Sequence, residues 1–253
     1  SGDHINVTQP DKFGIISKSR STNILDTLLN SNSDNKPNQS LPEIVGSSLF
    51  KLTLSERASY ENEEIPMIIS RCIGEVERRG LDIEGIYRIS GGNLAIVAIE
   101  NAFDSLPPNS RKDSKLMMKL DECVNGDINA VTLALKRYLR KLPDPIIPYD
   151  LYDEFIKVSV DNPPAKQDKR IRDLRTLILK LPKTNKTTLE TICKHLNLVN
   201  QYLHVNRMGF RNLLVVFAPT LVRDQTGEKE MIDMGYRNDV MDLMLLNYTR
   251  VFC

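Results

Sequence analysis

From residue 45 onward the apolar positions recur with the period of an α-helix, and the alternation of a half-buried strand is almost absent. In PMIISRCIGEVERRG, Pro66 to Gly80, the residues Ile68, Ile69, Cys72, Ile73 and Val76 share one stripe. Pro66 suits the first turn of that helix and Gly80 its stop. Leu94, Val97, Ala98 and Phe103 mark a shorter helix, with Ser90 or Asn93 as its cap. Asn129 is placed to cap a helix running to about Leu142, with Val131, Leu135, Tyr138, Leu139 and Leu142 on its core side and Pro143 and Pro145 ending it. Pro148 opens another, with Leu151, Phe155 and Ile156 facing inward. The same spacing returns in Ile171, Leu174, Ile178 and Leu181, in Leu189, Ile192, Cys193, Leu196 and Leu203, and in Val240, Leu243, Met244, Asn247, Tyr248 and Val251. NLLVVFAPTLV, Asn212 to Val222, is apolar on every side, so it is a central buried helix or a buried strand, and periodicity does not separate the two. The pattern predicts an all-α fold: one helical domain of about eight or nine helices over residues 45–253.

Residues 1–44 break the pattern. They are rich in Ser, Asn and Asp, and NSNSDNKPNQS, Asn30 to Ser40, offers almost nothing to bury, so the segment reads as a largely disordered polar linker. TNILDTLL, Thr22 to Leu29, has the spacing of a short amphipathic turn. The opening Ser1 and Gly2 read as a cloning remnant, which makes the chain a fragment of a longer protein. No repeat of 20 to 50 residues is visible, which argues against a solenoid.

Composition narrows the function classes. The net charge of +1 gives no global field for nucleic acid or an anionic membrane, so any electrostatic function is local. Cys72, Cys123, Cys193 and Cys253 are far apart with no CxxC pair, which points to a reducing, cytoplasmic setting. The sequence holds no apolar run of membrane-spanning length and no signal-peptide order of charges, so no membrane insertion is expected. With no exposed apolar seam evident, the expectation is a monomer.

The chemistry of a self-sufficient enzyme is missing. GxxxxGK[ST] and GxGxxG do not occur. The three histidines, His4, His195 and His204, stand in neither an HExxH nor a Cys/His cluster, so no metal site is expected. Ser90 in YRISGG does not complete GxSxG, because position 88 is arginine.

Two features remain. EGIYRISGG, Glu84 to Gly92, places Arg88 between an apolar Ile-Tyr pair and a Ser-Gly-Gly turn. A solvated loop arginine is the plain reading; an arginine presented on a short fixed loop for insertion into a partner is the sharper one. KRYLRKLPDP, Lys136 to Pro145, carries two basic stripes, Lys136 with Arg140 and Arg137 with Lys141, each four residues apart on a helical face. Such cations suit an acidic or phosphate-bearing partner, and spacing alone does not say which stripe is used.

These blocks carry a resemblance. EGIYRISG, LKRYLRKLPDPIIP, LPKTNKTTLETICKHL, NLLVVFAPTLVR and VMDLMLLNYTRVF occur in the order and approximate spacing of the Rho GTPase-activating protein (RhoGAP) domain, over about residues 46 to 253. That family is all-helical. The resemblance makes Arg88 the arginine finger that enters the nucleotide site of a Rho-family small GTPase in its GTP-bound state. It makes Lys136 a contact to the GTPase, Arg140 a support of the finger loop and interface, Asn212 a contact near the switch regions, and Pro145 part of the segment bordering the interface. Gly85 and Gly91, with Gly92, become the permissive backbone of a loop that approaches a partner closely. Arg137, Lys141 and Arg223 receive no assignment. Where some members read Gly-Pro-Asn, this chain has Ala218, Pro219 and Thr220.

The implied function is to stimulate GTP hydrolysis in trans and so to switch off signalling. The catalytic glutamine, the Mg²⁺ and the GTP belong to the partner, so the chain needs no cofactor of its own and is not itself the enzyme. The alternative is a catalytically silent GTPase-binding or scaffold module of the same fold. The Asn-rich linker hints at a fungal regulator of cell polarity, brought to the cell cortex by other parts of the parent protein.

Overall fold

Twelve α-helices form among the described residues of the computed structural model, which are 49–162 and 164–253. The linker over 1–44 and the patch from Thr22 to Leu29 lie outside them. The helices are α1 (Leu54–Glu61), α2 (Met67–Arg79), α3 (Asn93–Asp104), α4 (Ser114–Val124), α5 (Ile128–Lys141), α6 (Tyr152–Val160), α7 (Gln167–Lys180), α8 (Lys183–Gln201), α9 (Leu203–Asn206), α10 (Phe210–Leu221), α11 (Met234–Leu246) and α12 (Tyr248–Phe252). No strand occurs among the described residues; one isolated parallel bridge joins Ile147 to Val222.

The centre of the domain is α5. Its Ala130, Val131, Ala134, Leu135, Tyr138 and Leu139 are buried, and α2, α3 and α10 pack around it. Burying a Val or Leu side chain contributes about 1.5–3 kcal/mol, so this helix is held firmly along its length. The all-apolar stretch from Asn212 resolves as helix α10, packed against α5 and α11. Its Pro219 falls in the last turn, where it offers no N–H to the Val215 carbonyl shortly before the helix ends at Leu221.

Two helices escaped the apolar pattern. α1 turns Arg57 and Glu61 inward as a fully buried pair at 2.6 Å. Arg57 also donates to the carbonyl of Phe103 at 2.7 Å, and Glu61 accepts the Met67 N–H at 2.6 Å. The pair therefore ties α1 to the end of α3 and the start of α2, but charged residues on the core face conceal the helix from an apolar count. Its start is a complete capping box between Thr53 and Glu56. α4, capped by Asp113 through the N–H groups of Lys115 and Leu116, is short, with Met117, Leu120 and Val124 as its buried face.

The helix caps differ from expectation. Asp127, not Asn129, caps α5, its Oδ1 accepting the Asn129 N–H at 2.9 Å. Neither Ser90 nor Asn93 caps α3; Gly92 occupies that position, and its N–H bonds Asp127 Oδ2 at 3.2 Å. One aspartate thus holds the starts of two helices together. Pro66 and Gly80 bracket α2 as predicted.

Candidate functional site

The loop joining α2 to α3, residues 80–92, turns through two left-handed residues, Gly85 at φ +72° and Tyr87 at φ +67°. The reversal sends Ile86 and Tyr87 into the core and leaves Arg88 exposed. Within the turn, the N–H groups of Arg88 and Ile89 both donate to the Gly85 carbonyl, at 2.8 and 2.9 Å. A left-handed backbone on a bulky residue costs about 1–3 kcal/mol, and it persists only where surrounding contacts enforce it.

Those contacts come from four elements. The Tyr87 hydroxyl and His195 Nε2 of α8 are hydrogen-bonded at 2.6 Å, and His195 Nδ1 bonds Glu77 Oε1 of α2 at 2.9 Å. The Tyr87 ring stands edge-on to Phe217 of α10, with centroids 4.9 Å apart. The Tyr87 carbonyl accepts from the Lys136 ammonium of α5. Burial pushes the Lys136 pKa down. The hydrogen bond from His195 holds the Glu77 carboxyl below its ordinary value, with burial opposing.

Farther along, the loop rests on the first turn of α5. A Cβ on Gly91 would lie 2.1 Å from the Ala130 nitrogen, so only glycine fits. Gly85 needs glycine for its positive φ. Gly92 does not: its φ is −66°, and a Cβ there would meet nothing within 4 Å.

Asn206 anchors the other flank. Buried at the end of α9, it donates through Nδ2 to the carbonyls of Leu81 and Val199, at 2.8 and 2.9 Å, and accepts the Met208 N–H at 2.7 Å. Its own carbonyl accepts the Gly85 N–H at 2.8 Å. One residue on, Arg207 at φ +61° turns the chain into α10, and its carbonyl accepts from Asn212 Nδ2 at 2.8 Å. The structure therefore brings Arg88, Gly85, Gly91 and Lys136 directly together and joins Asn212 to them through the 206–207 turn.

Arg140, one helical turn beyond Lys136, is exposed, and its side chain makes no hydrogen bond or ion pair among the described residues. In this structure Lys136 and Asp127, rather than Arg140, bond to the loop. The second basic stripe is occupied within the fold: Arg137 lies 2.9 Å from the buried carboxylate of Glu100, close as a charge pair though not aligned as a hydrogen bond, and Lys141 sits 4.4 Å from the Phe50 ring centre. Arg223 donates to the carbonyls of Arg140 and Leu142 at 2.6 and 2.8 Å and so closes the end of α5. Pro145 is buried, and its carbonyl lies 3.5 Å from Asn185 Nδ2.

The Arg88 guanidinium has no hydrogen-bond or salt-bridge partner among the described residues; it lies back over Gly85, one nitrogen 3.2 Å from where a Cβ would be. A cation on a braced loop, with its five donors free, can meet an anion brought from outside. Among the described residues no cluster of His, Cys, Asp and Glu could hold a metal ion, and no helix is long and apolar enough to cross a membrane. The sequence pattern did not reveal Tyr87, Asp127, His195 and Asn206 as parts of this site. The signal available was mixed: His195 stands within a mostly buried helical stretch, whereas Asp127 is an exposed residue of cap type directly before the apolar run of α5.

Comparison with known proteins gives a consistent result. The RhoGAP domain family matches residues 66–226. Rho-type GTPase-activating protein 2 of Saccharomyces cerevisiae is 36% identical over 227 residues, which is 82% of this chain and 22% of that protein. Rho GTPase-activating protein 15 of Gallus gallus is 34% identical, over 83% of this chain and 42% of its own length. The crystal structure of human Rho GTPase activating protein 15 superposes with a TM-score of 0.70 at 31% identity, covering 83% of this chain and 95% of that one. The BH domain of GRAF, the GTPase regulator associated with focal adhesion kinase, gives 0.61 at 30% identity, covering 73% and 92%. The chain thus spans about a fifth of the length of the yeast relative.

Proposed function

The chain belongs to the RhoGAP domain family, and on that footing we propose that it stimulates GTP hydrolysis by a Rho-family small GTPase with Arg88 as its arginine finger. The observation that carries the reading is a guanidinium without a partner among the described residues, on a loop held by Lys136, His195, Asn206 and the backbone of α5. Phosphoryl transfer from GTP to water spreads negative charge over the transferring group and the leaving oxygen. A planar, permanently charged guanidinium donates to both, and a lysine does not cover the same geometry. Fingers of this kind in other GTPase systems are worth about 10³ to 10⁵ in turnover. A preformed loop leaves little ordering to be done when the partner arrives.

Lys136, Arg140 and Asn212 serve beside the finger as contacts to the GTPase, with Arg140 exposed and its side chain unpaired among the described residues. GTP, Mg²⁺ and the residue that orients the attacking water belong to the partner, which is engaged in its GTP-bound state by a monomeric chain. The setting is the cytoplasm, with recruitment to the cortex by other parts of the parent protein. Single-turnover hydrolysis on a panel of Rho-family GTPases, with the intact chain and with Arg88→Ala, tests this together with a binding assay. Acceleration lost in the variant while binding persists supports the reading. Binding without acceleration by the intact chain would instead identify a silent scaffold.

A further inference from the structure

The phenol of Tyr87 is closed off from solvent, and its hydrogen bond runs to a single acceptor, His195 Nε2. That acceptor is available because of a third residue. An imidazole offers a lone pair at one nitrogen only when its proton sits on the other, and Glu77 at 2.9 Å from Nδ1 holds the proton there. Glu77 on α2, His195 on α8 and Tyr87 in the loop thus form a chain of two directed hydrogen bonds, in which the first fixes the tautomer that the second requires. At its end stands a bulky residue in a left-handed backbone, immediately before Arg88. The direction in which Arg88 leaves the loop is set by the backbone of Tyr87.

We propose that His195 is a positioning residue for the finger: by accepting from Tyr87 it holds the strained turn that presents Arg88, although it touches neither the finger nor the partner. This rests on the activator reading of the site. A purely packing role for the imidazole would make its loss a matter of core volume and stability, felt in every property alike. A positioning role is specific. Without its acceptor the buried phenol is an orphan donor, the turn relaxes toward ordinary extended backbone, and the committed complex is less often correctly aligned.

The test compares the intact chain with Tyr87→Phe, His195→Leu, His195→Gln and the Tyr87→Phe/His195→Leu pair. Three quantities are read: the hydrolysis rate of a GTP-loaded Rho-family GTPase at saturating chain, the affinity for that GTPase, and amide hydrogen exchange at Arg88 and Ile89 in the free chain. Tyr87→Phe removes one oxygen atom and leaves the core filled, so it remains informative if a histidine variant folds poorly. The expected loss is about tenfold in saturated rate for Tyr87→Phe and for His195→Leu, the size of one buried hydrogen bond, with affinity within about twofold. The double variant should lose no more than the worse single, since both remove the same bond. The Gln side chain carries a carbonyl oxygen near the position of Nε2, so His195→Gln should recover part of the rate. Exchange at Arg88 and Ile89 should accelerate about tenfold in Tyr87→Phe, because those N–H groups close the turn onto Gly85. An unchanged rate together with unchanged loop exchange in Tyr87→Phe, or multiplicative losses in the double variant, overturns the proposal. If the intact chain accelerates no GTPase, the activator reading fails, and exchange in the free chain still decides whether His195 holds the loop.

Discussion

Lys136 donates to the carbonyl of Tyr87, the residue directly before Arg88, so the basic face of α5 is tied to the loop right beside the exposed arginine. The lysine carries its charge at the cost of partial burial, which lowers its pKa. Replacing it with methionine keeps the stem and removes the donor. A hydrogen bond to a charged group contributes about 1.5–3 kcal/mol. The saturated rate of stimulated hydrolysis should therefore fall about tenfold or more in Lys136→Met. Lys136→Arg should not restore it, because a planar fork does not fit where a compact ammonium reaches one carbonyl.

Two adjacent glycines separate a steric requirement from mere sequence likeness. A methyl at position 91 would overlap the backbone of Ala130, which cannot move without displacing α5, whereas at position 92 it would stand in open space. Gly91→Ala should cost about 1–3 kcal/mol of stability, the usual size of an overpacking strain, and lower the stimulated rate as the loop is pushed off the helix. Gly92→Ala should stay within about 0.5 kcal/mol and keep full activity, as its N–H to Asp127 is preserved. Thermal unfolding and single-turnover rates on the two variants check the contrast.

Much of this was legible in the sequence, for a physical reason. Where Ile, Leu and Val dominate the core face, as in α2, α5 and α7, their spacing reports the helix directly even with a Thr132 or Arg170 buried among them. It fails for α1, where an ion pair takes up half of the four buried positions, and for the caps, where Asp127 serves two helices that are distant in the local pattern but adjacent in space. The site divides in the same way. Arg88, Lys136 and Gly91 stood out because charge and glycine are conspicuous against apolar neighbours. His195 and Asn206 did not, since their roles depend on which carbonyl or hydroxyl the tertiary fold brings within reach. Nor did spacing distinguish the two basic stripes of α5: only the positions of Glu100 and Phe50 show that one is engaged inside the protein.

Acid should act on the site through Glu77. Its carboxyl titrates below the ordinary 4.5 because the His195 hydrogen bond favours the ionised form. As pH falls past 4.5, the unfolded chain takes up this proton before the folded one does. The stabilisation is therefore complete above that value and is lost as pH drops through the lower, folded-state pKa. Glu77→Gln removes the linkage. Denaturant unfolding from neutral to acid pH should show the intact chain losing more stability than Glu77→Gln over that window, and parallel curves would exclude the carboxylate as the responsible group.

The two stripes of α5 should respond to mutation in opposite ways. Arg140 is exposed and has no side-chain partner among the described residues, so Arg140→Ala leaves the fold intact and removes one charge from the surface that would meet the GTPase. Its affinity should fall roughly threefold to tenfold at low ionic strength and approach that of the intact chain as salt screens the contact. Arg137 pairs with Glu100, whose carboxylate is buried and already pushed toward protonation by desolvation. Removing the guanidinium takes away the larger of the two cationic influences on that carboxylate and leaves only Lys141, so Arg137→Ala should destabilise the domain by about 1–3 kcal/mol while leaving GTPase affinity and its salt dependence unchanged. Titrating both variants against one GTPase at two salt concentrations, alongside their unfolding midpoints, distinguishes a partner-facing cation from a structural one. If Arg137→Ala changed the salt dependence and Arg140→Ala did not, the partner would have to approach the opposite face of α5.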